Sequence, residues 1–212
     1  ILARLQSGET CALVTDAGTP AISDPGEDLV RLCAGAGVPV VSLPGPCALI
    51  TALTVSGQPT GRFTFEGFLS VNRKNRRAHL ESLRSETRTM IFYEAPHKLL
   101  DTLQDMQAVF GGERALSLCR ELTKLHEEVM RTTLDDALRY YQAQAPRGEY
   151  VLVIHGAEPL EEPPVSLDDG VAQVLAQLEQ GQRLKDAVRA VAQATGLSRN
   201  ELYDAALSAR EA

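Results

Sequence analysis

The chain has 212 residues, of which 44% are hydrophobic and 23% charged, with a formal net charge of −7. These values are typical of a globular protein with one large or two small domains, and the acidic balance argues against a generally basic nucleic-acid-binding surface. The sequence shows no apolar run long enough to cross a bilayer, and its scattered cysteines and histidines predict neither disulfides nor a metal site.

Residues 1–57 contain two apolar runs, each followed by a loop rich in glycine and proline and then by a helical pattern. The runs at residues 11–14 and 38–43 predict buried parallel strands. The loops at residues 16–26 and 44–46 follow the carboxyl ends of these strands, where open α/β sheets bind ligands. This part of the chain therefore predicts half of a parallel α/β domain with a ligand site at its loops.

The loop at residues 16–26 divides into two halves. In the second half Asp24 fits a helix N-cap, with Pro25 at the first helical position and Glu27 completing a capping box. The first half has no such structural role, and long loops on α/β scaffolds are often functional. We therefore predict that a ligand contacts the first half, which consists of Asp16, Ala17, Gly18 and Thr19 and ends at Pro20.

Residues 61–157 predict a second α/β domain with a mixed sheet. The predicted strands are residues 63–68, 90–93, 115–119, 128–132 and 150–154, and the predicted helices are 73–85, 97–110 and 134–143. Residues 158–165 read as a linker by composition. Residues 166–212 predict three helices, the last two joined by a glycine-containing turn as in a helix-turn-helix. A three-helix bundle that contacts protein is the alternative for this tail.

The densest positive patch in this acidic chain consists of Arg73, Lys74, Arg76 and Arg77. A solvated helix start is the ordinary explanation, but cations at a helix N-terminus oppose the helix dipole. The unfavourable placement favours contact with RNA phosphates. Arg199, at the start of the last predicted helix, is a second candidate for RNA contact.

The chain contains, in order, DAGTP at 16–20, SDPG at 23–26, LPGP at 43–46 with TAL at 51–53, FEGF at 65–68 and FYEAPH at 92–97. In these motifs it resembles the tetrapyrrole-methylase-like superfamily and, within it, the ribosomal RNA small-subunit methyltransferase I family. The resemblance covers nearly the whole chain, including the helical tail. It implies two α/β domains of the tetrapyrrole methylase type, the first one incomplete (residues 1–60), plus a small C-terminal helical domain.

The resemblance also implies a function and a cofactor. The function is S-adenosylmethionine-dependent 2′-O-methylation of a cytidine ribose in the decoding region of 16S ribosomal RNA, by a cytoplasmic homodimer. The family pattern begins with a strand and a Pro-x-Gly-Asn loop that this sequence lacks, so we expect a fragment that binds the cofactor weakly.

The same resemblance assigns roles to residues. The cofactor would contact Asp16, Ala17 and Gly18, with further contacts from Thr51, Ala52, Phe92 and Tyr93. The Thr51 hydroxyl could instead bond back to the preceding helical turn, and the two aromatic residues could belong to the core.

A ribose hydroxyl is a weak nucleophile, so a nearby base would assist methyl transfer. Glu94, His97 and Glu121 are the candidates for this base. The structural alternatives are that Glu94 pairs with Arg120 and that His97 merely begins its helix. Two other functions remain open at this point. One is methylation of a corrin precursor or diphthine synthesis, and the other is a non-catalytic nucleic-acid-binding module.

Overall fold

A computed structural model describes residues 1–158 and 165–211 of the chain. The chain divides into two compact units, Ile1–Glu158 and Pro159–Ala212. Most of the predicted linker at 158–165 lies outside the described residues. The boundary predicted near residue 60 falls inside the first unit and stays a prediction.

The first unit contains six α-helices, one 3-10 turn and five strands within residues 1–158. The helices are α1 (Leu2–Gln6), α2 (Glu27–Gly35), α3 (Ala48–Ser56), α4 (Arg73–Ser82), α5 (Leu99–Phe110) and α6 (Leu134–Ala143), with the 3-10 turn at Pro96–Lys98. The strands are β1 (Phe63–Phe68), β2 (Thr89–Glu94), β3 (Ala115–Arg120), β4 (Glu128–Thr133) and β5 (Tyr150–Ile154). Each strand of the predicted second domain is therefore confirmed, with bounds shifted by at most one residue.

The five strands form one mixed sheet in the order β1-β2-β5-β3-β4. β1 and β2 are parallel, whereas β2–β5, β5–β3 and β3–β4 are antiparallel. Because β5 runs opposite to its neighbours, Tyr150 at its start pairs with Glu94 and Arg120 at the ends of β2 and β3. One edge of the sheet thus gathers the carboxyl ends of β2 and β3 and the start of β5.

Two apolar clusters cover the two faces of this sheet, because successive strand residues point to opposite sides. On one face, Phe92, Leu118 and Leu152 pack with α4, α5 and α6. On the other face, α3 packs with Leu53 against Ile91 and other strand residues. Helix α3 therefore joins the first segment of the chain to the sheet.

The two predicted strands at residues 11–14 and 38–43 are wrong, because both segments lack strand structure. Val14 is 81% exposed and Val41 is 83% exposed, so neither apolar run is buried. A strand exists only when a neighbouring chain satisfies its backbone groups. No strand in the described residues pairs with either segment.

The predicted cap of α2 is also wrong. The helix begins at Glu27 and its N-cap is Gly26, with φ of 146° and no side-chain cap. Gly26 approaches Leu13 and Ala21 so closely that a Cβ at this position would collide with the Leu13 side chain. The N-cap therefore lies two residues after Asp24, and the helix begins three residues after it, at Glu27.

The second unit has its own core and three helices among residues 165–211. They are α7 (Leu167–Glu179), α8 (Leu184–Thr195) and α9 (Arg199–Glu211), as the periodicity predicts. Val174, Val191 and Leu202, one from each helix, are almost fully buried in the core between the helices. Gly196 ends α8 in the left-handed region and makes the turn into α9.

Candidate functional site

The first half of the loop at residues 16–26 contacts the loop at residues 44–46. Thr19 Oγ1 donates to the Pro46 carbonyl at 3.0 Å, and Thr15 Oγ1 donates to the Gly18 carbonyl at 2.9 Å. Gly18 has φ of 84°, and a Cβ on it would lie 3.3 Å from the Pro46 oxygen. A glycine therefore suits this contact both sterically and conformationally.

Open space borders the second half of the loop. A cavity of about 620 Å³ is lined by residues 21–29 together with Leu13 and Ile1. Ala21, in its wall, has φ of 62°, an uncommon conformation for a residue with a side chain. Sequence reasoning placed the ligand against Asp16–Thr19, and none of these four residues lines this cavity. The assignment of the ligand to them therefore stays a prediction.

Tyr93 links the sheet to the first segment of the chain. Its hydroxyl accepts the Leu49 N–H at 3.0 Å, at the start of α3, where the N-cap residue Cys47 provides no side-chain cap. The ring contacts Phe65 and Phe68 edge-on, at 4.9 and 5.6 Å between centroids. Burial raises the pKa of the Tyr93 phenol, so the hydroxyl stays protonated at neutral pH.

We expect Tyr93→Phe to loosen α3, because the Leu49 N–H loses its partner while the ring packing remains. The loss should be about 1 kcal/mol of unfolding free energy, the usual contribution of a helix cap. Urea denaturation checks the value, and hydrogen exchange at the Leu49 amide reports it locally. Tyr203→Phe in the second unit is the matched control, and an equal loss there would contradict a specific cap.

Thr51, Ala52 and Phe92, which were also predicted to contact the cofactor, are less accessible than the loop at residues 16–19. Thr51 Oγ1 donates to the Cys47 carbonyl at 3.0 Å, which is the back-bond considered as its alternative role. Ala52 is fully buried against the sheet. The placement of Phe92 beside the cofactor is wrong, because Phe92 is fully buried on the face opposite Tyr93. Alternation along β2 separates the two aromatic residues.

Glu94 holds the turn after β2 and is not free to act as a base. Its carboxyl group is buried, with Oε1 accepting from the Ala95 N–H at 2.9 Å and Oε2 from the Thr102 hydroxyl at 2.6 Å. It does not pair with Arg120, which instead contacts Glu128 at 2.9 Å. Glu94 therefore joins β2 to α5 and is corrected to a structural residue.

Glu121 belongs to a tight loop between β3 and β4. It accepts the Glu149 N–H at 2.9 Å and the Lys124 ammonium at 3.0 Å. These two bonds lower the pKa of Glu121, the backbone bond being the larger cause, which makes it a weaker base. Glu121 and Thr123 both have positive φ, so the loop holds a strained conformation.

His97 lies in the 3-10 turn directly after β2, and its side chain is exposed. Among the described residues no hydrogen bond engages its ring, in contrast to Glu94 and Glu121. Of the three base candidates it is the one that the surrounding contacts leave available.

The basic segment starts α4 as predicted, but its cations are not equivalent. Asp105, only 1% exposed, receives Arg76 and Arg77 at 2.7 Å each and Arg73 at 3.4 Å. The prediction that Arg76 contacts RNA is wrong, because its side chain is 7% exposed and also donates to the Ser70 and Val71 carbonyls.

Lys74 is exposed and has no partner among the described residues, while Arg73 and Arg77 are 66% and 47% exposed. Together with Lys74, these two arginines form the accessible part of the patch. Arg199, the remaining candidate, is exposed in the second unit.

Sequence reasoning missed Asp105, which organises this patch. The available signal was a carboxylate on the apolar side of α5, between Leu103 and Met106, because such a residue requires a cationic partner when buried. It also missed the tyrosines near the end of α6.

In residues 1–158 and 165–211 no helix is long and apolar enough to span a membrane, and no cluster of potential metal ligands occurs.

The α/β sheet, the loop-lined cavity and the separate helical unit are features by which the chain can be assigned to a class of proteins. Residues 1–138 match the family of tetrapyrrole (corrin/porphyrin) methylases, and residues 165–210 match the RsmI C-terminal HTH domain. The crystal structure of the methyltransferase CobJ shares the fold, with a TM-score of 0.56 over 77% of this chain and 71% of that chain at 20% identity. The predicted α/β class with a helical tail is confirmed.

Relatives narrow the class further. The ribosomal RNA small subunit methyltransferase I of Synechocystis is 47% identical, covering 98% of this chain and 74% of the relative. Those of Escherichia coli O157:H7 and Mycobacterium tuberculosis CDC 1551 are each 45% identical, covering 98% and 99% of this chain and 72% of each relative. The chain belongs to the ribosomal RNA small subunit methyltransferase I family. It is a methyltransferase, and membership of this family confirms S-adenosylmethionine as the expected cofactor.

Proposed function

We propose that the chain transfers a methyl group from S-adenosylmethionine to the 2′-oxygen of a cytidine ribose in 16S ribosomal RNA of the small ribosomal subunit. The observation that carries the proposal is the 43–47% identity, over nearly the whole chain, to relatives named for small-subunit ribosomal RNA. On this proposal the protein acts in the cytoplasm, where ribosomal subunits are made. A homodimer stays part of the proposal.

The loops at residues 16–20 and 44–46 fit a cofactor of this kind. S-adenosylmethionine, when bound, supplies an electrophilic methyl group. The Thr19–Pro46 bond holds the two loops together, and Gly18 keeps the approach free of a side chain. Asp16 is exposed beside them and offers a carboxylate to a positively charged ligand. Small residues and backbone groups orient such a ligand and leave the chemistry to it.

His97 is the general base in this proposal. A neutral imidazole nitrogen would take the proton of the ribose 2′-hydroxyl as that oxygen bonds to the methyl carbon, while the bond between the methyl carbon and the sulfonium sulfur breaks and S-adenosylhomocysteine leaves. His97 lies beyond the end of β2, four residues along the sequence from Tyr93, and Tyr93 contacts the start of α3. Glu94 supports the position by fixing the Ala95 N–H in the turn that leads to His97.

RNA phosphates contact the start of α4 in this proposal. Lys74 carries most of the contact because it has no partner in the described part of the chain, and Arg73 and Arg77 add to it from the edge of the Asp105 cluster. Arg199 in the second unit stays a candidate. An exposed cationic helix start gains affinity by releasing counterions from the nucleic acid, and that gain weakens as salt rises.

The test measures incorporation of a labelled methyl group from S-adenosylmethionine into small ribosomal subunits that lack the modification, with cofactor binding followed by calorimetry. We expect incorporation at a cytidine 2′-oxygen. His97→Asn should lower kcat by about 100-fold or more, the typical share of a general base. His126→Asn, an exposed histidine elsewhere, should retain the wild-type rate.

The outcomes separate the candidates. No incorporation at saturating cofactor would contradict the proposal, and an unchanged kcat in His97→Asn would contradict the base assignment alone. Methylation of a corrin precursor or of elongation factor two would support the corrin or diphthine alternative. RNA binding without any cofactor binding would support a non-catalytic module.

A further inference from the structure

A second cavity lies at the sheet edge, away from the loops just described. Its volume is about 260 Å³, and its lining residues are Arg120, Glu128, Tyr140, Tyr141, Gln144, Ala145, Arg147 and Tyr150. Tyr150 and Tyr141 belong to the core on the α5–α6 face of the sheet, whereas Tyr93 and α3 pack on the opposite face. The cavity is therefore separate from the candidate cofactor site.

The aromatic wall of this cavity consists of three tyrosine rings in edge-on contact. Tyr140 and Tyr141 contact edge-on with 5.0 Å between centroids, and Tyr141 meets Tyr150 in the same way at 5.7 Å. Tyr150 accepts the Arg147 N–H at 3.1 Å. Burial and the hydrogen bond with Tyr150 raise the pKa of Tyr141, so it stays neutral. Tyr140, half-buried near the end of α6, lines the cavity.

The cationic side of the cavity is only partly neutralised. Arg120 Nη2 contacts Glu128 at 2.9 Å, but its buried Nε has no acceptor among the described residues. Arg147 is exposed, and its guanidinium forms no ion pair in the described part of the chain. The other nearby carboxylates, Glu121 and Glu149, are both engaged by Lys124. A guanidinium without an ion pair in the described part of the chain thus lines the same cavity as the tyrosine rings.

We propose that this cavity binds one nucleotide of a single-stranded segment of the RNA substrate, with the base on the Tyr140 ring and the adjoining phosphate on Arg147. The proposal rests on the proposed function. Unstacked bases bind proteins by stacking on tyrosine rings, and arginine matches phosphate geometry. The volume lies below the roughly 300–1,000 Å³ of pockets that hold drug-sized ligands, so it suits a ligand as small as one base.

The test uses the 212-residue chain and a fluorescein-labelled, cytidine-containing single-stranded RNA decamer, with affinity measured by fluorescence anisotropy. We expect Tyr140→Ala and Arg147→Ala each to weaken binding by about tenfold, the range of one lost stacked base or phosphate contact. Tyr140→Phe, which keeps the ring, should restore binding. Arg139→Ala is the matched control, because Arg139 is an exposed neighbour on α6 that pairs with Asp136 outside the cavity.

Photo-cross-linking of a 5-iodocytidine-substituted decamer provides a second readout that does not depend on the stability of a variant. We expect the cross-linked peptide to contain Tyr140, and S-adenosylmethionine binding to be unchanged in Arg147→Ala. Wild-type RNA affinity in Arg147→Ala, with cross-links elsewhere, would overturn this site while leaving methylation by the protein intact. If the wild-type chain showed neither RNA binding nor methyl transfer, the proposed function itself would be overturned.

Discussion

Asp105→Asn is expected to lower the unfolding free energy by about 3 kcal/mol, because it leaves the buried Arg76 guanidinium without its counter-charge. Asp105 receives Arg76 through both Nε, at 2.8 Å, and Nη2, at 2.7 Å, and Arg77 at 2.7 Å. An amide of the same size keeps the shape but removes the negative charge. Urea denaturation with linear extrapolation measures the loss.

Asp101→Asn is the matched control, since Asp101 is exposed one helical turn earlier on α5. It should change stability by less than about 0.5 kcal/mol, as surface substitutions usually do. A loss in Asp105→Asn no larger than in this control would contradict the role of Asp105 as the anchor of α4.

The pH dependence of the same pair follows from the pKa of Asp105. Burial alone would raise it, but the Arg77 and Arg76 guanidinium groups lower it below the ordinary value. The carboxylate therefore contributes fully above the unfolded-state pKa of about 3.9, and the contribution is lost as the pH falls through the lower folded-state pKa. The difference in stability between wild type and Asp105→Asn should shrink only in that acid range.

Gly156→Ala is expected to lower the unfolding free energy by about 3 kcal/mol, which is at the upper end of the usual cost of overpacking. A Cβ at Gly156 would overlap the Thr87 carbonyl group and lie 2.9 Å from the Arg88 nitrogen. Both neighbours are backbone, so neither can rotate away. The facing segment is also held by the Glu86–Arg88 pair, in which the Arg88 hydrogen bonds lower the pKa of Glu86 to about 2.

Gly35→Ala offers the comparison, because Gly35 lies at the end of α2 with nothing within 4 Å of an added Cβ. Alanine is the better helix former there and should be neutral or stabilising by up to about 1 kcal/mol. Thermal denaturation of both variants measures the contrast. Equal melting temperatures for the two would show that the backbone near Thr87 yields to the extra methyl group.

Much of this fold could be predicted from local sequence pattern. The alternation in β1, the apolar run of β5 and the amphipathic period of α6 each specify one element, and all three have their predicted bounds. The motifs from residue 16 to residue 97 are also sufficient to indicate the methyltransferase family. Such features are readable because hydrophobic period and motif spacing belong to contiguous residues.

The strands predicted at residues 11–14 and 38–43 failed for a physical reason. An apolar run supplies side chains for a strand, but its backbone groups require a paired neighbour that the run itself does not contain. The prediction for Phe92 failed for a different reason, since alternation places Phe92 and Tyr93 on opposite faces of the sheet without showing which elements cover each face. Only the packing of α3 on one face and α5 on the other decides that question.

By itself the sequence determined the order of the elements from β1 to β5, the separate helical tail and the family. Tertiary structure decided which charged and polar side chains are available to act. It buried Glu94 on Thr102, turned Arg76 toward Asp105, and left His97 and Lys74 exposed. The reason is that the state of a charged group depends on partners far away in sequence, and only the folded chain brings those partners within a few ångströms.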